Sequence, residues 1–138
     1  MSSRRRRPRP VPLLVINGLA DAVAAAMGLS DRLTHGHGVA VTDQQGGVVE
    51  MVVFTEVRHT ADDAIRAGIA MGARHPLARR VVLLSVLDDV DITIPNELEV
   101  EMWHATVKRF SRVGLELFEW IIASGEVFRS LDQTVRNW

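Results

Sequence analysis

Cysteine is absent from all 138 residues. That excludes disulfide frameworks, thiolate zinc sites and cysteine nucleophiles together, and it favours a reducing compartment. Also missing is an unbroken apolar run of membrane-spanning length. The stretch from Val11 to Leu29 follows a run of arginines, as the apolar part of an export signal would, but Asn17, Gly18 and Asp21 interrupt it and Pro8, Pro10 and Pro12 crowd its start. No membrane association is expected, and the cytoplasm is the expected location. Beyond the first residues, basic charge is scarce. Five of the sixteen basic residues are Arg4, Arg5, Arg6, Arg7 and Arg9, which leaves eleven against seventeen acidic residues, a net of −6 for the remainder. An acidic body is not the footprint of a duplex-binding domain, so any DNA or RNA affinity is expected in the arm, where flexible guanidinium groups can meet phosphates. No internal repeat or low-complexity segment follows that arm.

The whole chain has the 47% hydrophobic content that a single core needs. Residues 1–12 are mostly Ser, Arg and Pro and are read as a disordered arm, because they cannot bury enough apolar area to offset their ordering entropy. Residues 13–34 form a lead-in, with a helix from Gly18 to Met27 ended by Gly28. In 35–138, Val39–Thr42 and Val48–Thr55 are β-branched runs joined by Asp43-Gln44-Gln45-Gly46-Gly47, the pattern of a hairpin. Thr60 precedes Asp62 and Asp63 as an N-cap with carboxylates in the first turn, which predicts a helix to about Gly72. The continuous run Val81–Leu84 predicts a strand buried on both faces. Asn96 then caps a long helix in which Met102, Val107 and Phe110 should be buried, ended by Gly114. Leu115–Ala123 and Val127–Leu131 close the chain as a strand pair around Ser124-Gly125-Glu126. The fold class is therefore α/β, a single mixed sheet with packed helices.

The order of these elements carries a resemblance. Pro95-Asn96-Glu97-Leu98-Glu99, the helix to Gly114, Leu115-Glu116-Leu117-Phe118-Glu119-Trp120-Ile121-Ile122 and Val127-Phe128-Arg129-Ser130-Leu131 follow one another as in the JAB/MPN domain of RadC-type proteins. His59 to Gly72 resembles that family's His-Pro-Arg-Glu-x-x-Arg-x-Ala-Leu helix. The resemblance implies cytidine-deaminase-like layering and a zinc site of the JAMM kind, made of two histidines one residue apart, a serine, an aspartate and an earlier glutamate. Zinc would need three protein ligands and an open position for an activated water. Laid on this chain, the frame puts Val86 and Asp88 at the histidines, Asn96 at the serine, Glu99 at the aspartate and His35 near the glutamate. Val86 has no lone pair, and Trp120 replaces a histidine of the family's Asp-His pair. No cofactor is therefore expected; a surviving metal would have to use Asp88, Glu99 and His35, an oxygen-rich set with poor zinc selectivity.

The other polar features read blandly. His35-Gly36-His37 has ligand spacing but is read as a solvated loop entering the first strand, His75-Pro76 as a turn, and Asp88, Asp89 and Asp91 as a solvated acidic loop that lacks the glycine of a calcium loop. Trp103, Phe110, Phe118 and Trp120 recur at packing intervals. The functional expectation is a non-catalytic module that binds a protein partner or itself. The alternatives are a divergent metal-dependent hydrolase or isopeptidase using Asp88, Glu99 and a histidine, and a DNA- or RNA-associated factor using the arginine arm.

Overall fold

The computed structural model describes residues 15–88, 92 and 94–138. Arg4, Arg5, Arg6, Arg7 and Arg9 of the arm, and Asp89 and Asp91 of the acidic loop, lie outside the described residues. The elements run α1 (Leu19–Ser30), β1 (Gly36–Thr42), β2 (Val48–Phe54), α2 (Ala61–Arg74), β3 (Arg80–Val86), α3 (Glu97–Ser111), β4 (Glu116–Ser124), β5 (Val127–Ser130) and α4 (Leu131–Arg136).

They build one mixed sheet in the order β2-β1-β3-β4-β5. β1 pairs antiparallel with β2 and β3, β3 pairs parallel with β4, and β5 returns antiparallel to β4. The strand read from Val81–Leu84 is thus central, and it is buried from Val81 through Val86, as a run with no polar face requires. Successive β3 side chains feed two cores. Val81 and Leu83 meet Val39, Ile65, Trp103, Phe110 and Trp120 on the face covered by α2 and α3, while Val82 and Leu84 meet Ala22, Ala26, Ala40 and Ile121 under α1. Among the described residues, the cover of that second face comes from the lead-in segment.

Local chemistry sets the element ends. At α2, the Asp63 carboxylate accepts from the Thr60 N–H at 2.8 Å, and at α3 the Asn96 carboxamide oxygen accepts from the Glu99 N–H at 3.0 Å. Between β1 and β2, Gly46 has a positive φ of 86°, and an added Cβ would lie 2.7 Å from the Ile16 carbonyl oxygen. That close approach lets Ile16 donate to the Gly46 carbonyl at 2.8 Å and Val15 bridge to Gly47, so the start of the described chain is clasped to the hairpin tip.

Four expectations are corrected. α1 continues through Gly28 to Ser30, because the chain is not reversed there; Gly28 has no positive φ. β1 begins at Gly36, and His37 is 7% exposed inside it, so the His35-Gly36-His37 segment is not a solvated loop. The stripe that α3 buries is Trp103, Thr106 and Phe110, with Met102 and Val107 half-buried beside it. Finally, the chain does not end on a strand pair. Ser130 accepts from the Gln133 N–H and starts α4, whose Leu131 is fully buried.

Candidate functional site

The carboxyl ends of parallel strands β3 and β4 are where open α/β sheets place their ligands. Here that end is occupied by polar side chains on the α2/α3 face. His37 of β1 and Ser85 of β3 are direct register partners, and His37 Nδ1 lies 3.0 Å from Ser85 Oγ. Trp120 on β4 donates its indole N–H to the same hydroxyl oxygen at 3.0 Å. An indole can only donate, so the Ser85 hydroxyl oxygen accepts from Trp120, and either its proton or its second lone pair meets His37 Nδ1 according to the imidazole tautomer. Burial pushes the His37 imidazole below its ordinary pKa; the positive potential of His35 adds to that, Asp63 opposes it and His59 reinforces it.

Two more histidines complete the cluster. The His35 ring stands edge-on to His37 with centroids 5.2 Å apart, and its Nε2 donates to the His59 carbonyl at 3.2 Å. His59 packs edge-on to Phe54 at 5.0 Å, immediately before the Thr60 cap, and its buried Nδ1 has no hydrogen-bond partner among the described residues. A hydroxyl beside a neutral imidazole is the chemistry of an activated nucleophile. Ser85, however, is only 5% exposed and its oxygen already accepts from the indole, so the arrangement ties three strands together.

The residues of the resembling metal frame fall into three separate groups. Asn96 and Glu99 come together, but as a reciprocal helix cap: Glu99 Oε1 accepts from the Asn96 N–H at 3.1 Å. Glu99 Oε2 is held by the Arg129 guanidinium, with both side chains about nine-tenths buried at 13% and 14% exposure. Arg129 also donates to the Ile92 carbonyl and, at 3.0 Å, to Thr134 Oγ1, so it joins the α3 N-terminus to β5 and α4. His35 belongs to the histidine cluster. Val86 and Asp88 line a concavity of about 570 Å³ with Ser30, Leu33, Thr34 and Ser124, beside the end of α1. Because strand side chains alternate, the position that shares the His37 face is Ser85, followed by Leu87, which packs into the α2/α3 core. A hydroxyl, an alkyl group and an ion-paired carboxylate do not fit a tetrahedral zinc site. Among the described residues, no three His, Asp or Glu side chains gather as a metal-binding group.

Several working residues were not foreseen. Glu119, 4% exposed, accepts through Oε1 from the Ser130 hydroxyl at 2.8 Å and the Trp120 N–H at 2.8 Å. Burial pushes its carboxyl up despite those donors. The Val81, Leu83, Ser85 alternation could have identified Ser85; nothing local announces Arg129 as the partner of Glu99.

Elsewhere ion pairs lie at the surface, such as Glu50 with Arg74 at 2.9 Å and His75 at 2.7 Å. Exposed apolar side chains collect at the far rim, where Pro95, Phe128 and Trp138 border a groove of about 340 Å³. No helix among the described residues is long and apolar enough to cross a membrane. Neither the protein-family models nor the curated proteins contain a match to this chain.

Proposed function

We propose that this chain is a non-catalytic module of the RadC-like JAB/MPN kind, working in the cytoplasm by binding a protein partner or a second copy of itself. The observation that carries the reading is the state of Glu99. Its two oxygens are held by the Asn96 N–H and by Arg129, so the one carboxylate that the resembling frame would contribute from α3 has a structural task. Val86, at a position where that frame needs a nitrogen donor, is 2% exposed and purely apolar. The order of elements supports the family likeness, and large apolar side chains left outside the core, among them Leu98 at 71% and Trp138 at 63% exposure, support a binding role.

The test is metal content and melting temperature. Protein purified without added metal is expected to hold far less than one zinc per chain and to melt at the same temperature with and without chelator, since a metal that bound only the folded state would raise its stability. Stoichiometric zinc that disappears in Glu99→Gln would overturn the reading and favour a hydrolase.

A further inference from the structure

Of the chain's asparagines, Asn17, Asn96 and Asn137, only Asn17 is followed by glycine. The chain is anchored on both sides of it. Before it, Ile16 is fully buried in the α1 core and donates its N–H to the Gly46 carbonyl at 2.8 Å. After it, Gly18 is the N-cap of α1, and its carbonyl accepts the first helical bond from Ala22 at 3.1 Å. Asn17 itself is exposed, and its main-chain N–H donates to Asp21 Oδ2 at 2.9 Å. Among the described residues, neither the Asn17 carboxamide nor the Gly18 N–H has a hydrogen-bond partner. A Cβ added at Gly18 would meet nothing within 4 Å, so the nitrogen stands in open space. It also lies at the positive end of α1, where a developing negative charge is favoured. Asn96, by contrast, precedes Glu97, and its carboxamide oxygen is held by the Glu99 N–H at 3.0 Å.

We propose that Asn17-Gly18 is a site of spontaneous covalent modification, which converts the asparagine to aspartate and isoaspartate, and that isoaspartate loosens the α1 layer. The Gly18 nitrogen gives its proton to water and attacks Asn17 Cγ. A new N–Cγ bond closes a succinimide as the Cγ–Nδ2 bond breaks and ammonia leaves. Water then opens the ring in one of two ways. Addition at the side-chain carbonyl leaves aspartate in an unaltered main chain. Addition at the main-chain carbonyl leaves isoaspartate, with the main chain rerouted through Cγ. The rerouting inserts one methylene between Ile16 and the α1 N-cap. Both anchors serve the same core, with Ala22, Ala26, Val82 and Leu84, so the misfit falls on the packing of α1 against the sheet.

The test is to age the full chain at neutral pH and follow each asparagine by peptide mass spectrometry. Asn17 should be converted about ten times faster than Asn96 or Asn137, because its successor has no side chain in the way of attack. Isoaspartate, detected by enzymatic carboxyl methylation, should appear in the same peptide. Gly18→Ser should slow the conversion about ten-fold while keeping the helix, since serine is a good N-cap and its Cβ has room. Equal rates at the three asparagines, or an undiminished rate in Gly18→Ser, would overturn the site. Asn17→Asp carries the new charge without the rerouted chain. The isoaspartate form, separated by ion exchange, should therefore melt at a lower temperature than Asn17→Asp in far-UV circular dichroism. Identical melting of the two would overturn the loosening of α1.

Discussion

At the scale of single residues, His37 links the site to pH. Its folded-state pKa lies below the ordinary histidine value of 6.5, so in the window beneath 6.5 the unfolded chain binds the proton more readily than the folded one. Stability is full above that window and falls as pH drops through it. Thermal melts from pH 7 to pH 5 should show a declining midpoint, and His37→Gln should flatten the decline; an unchanged slope would remove His37 as its source. Glu119 has the opposite sense, because a raised carboxyl pKa means that its charge costs stability at neutral pH. Glu119→Gln keeps an oxygen for Ser130 and Trp120 and is expected to hold or raise the melting temperature at pH 7. Glu119→Ala leaves those donors unmatched and should cost about 1–3 kcal/mol. Gly68 shows the same sensitivity in packing. A Cβ there would stand 2.9 Å from the Val39 methyl and 3.1 Å from the Phe110 ring, both fully buried, so Gly68→Ala should lose about 1–3 kcal/mol in chemical denaturation even though alanine favours the helix.

At the scale of elements, Arg129 is the residue on which three of them depend. Removing one member of a nearly buried ion pair strands the other, so Arg129→Met should destabilise the fold by about 3–5 kcal/mol, whereas Arg129→Met with Glu99→Leu should recover much of that loss. A double variant no better than the single one would show that the bonds to Ile92 and Thr134 matter more than the pair. The hairpin, the Thr60 helix, the central strand and the Asn96 helix could all be recognised from local chemistry, because caps, glycine turns and continuous apolar runs act within a few residues. Elements that depend on distant partners were harder to read. His37 sits in a buried strand because Ser85, far along the chain and itself held by the Trp120 indole, bonds its ring, and α4 forms because Leu131 fills the end of a core whose other walls come from α3 and β4. The candidate metal frame is a matter of spacing along the chain, and spacing does not register which face of β3 a residue occupies. Ser85, beside the histidines, and Val86, beside α1, are consecutive residues.

At the scale of the whole molecule, the two cores share β1, β3 and β4, so neither layer of helices has a sheet of its own to pack on. Unfolding should therefore be a single transition. Trp103 and Trp120 both lie in the α2/α3 core while Trp138 is exposed, so the change in tryptophan fluorescence on unfolding reports chiefly on that face, and far-UV circular dichroism also registers α1. The two thermal curves are expected to coincide; a circular-dichroism loss that precedes the fluorescence change would show the α1 layer detaching first.

The position of β3 also has a consequence in time. Its partners are β1, reached back across a hairpin and a helix, and β4, reached forward across α3, so the centre of the sheet is assembled from the most distant pairings in the chain. The hairpin of β1 and β2 can close early, but it must wait with one flank bare until those long loops are drawn together. During that wait the valine-rich strands of separate molecules can find each other before they find their own neighbours. Refolding yield from denaturant is accordingly expected to fall as protein concentration rises, and a lysine at Val53 should soften that fall.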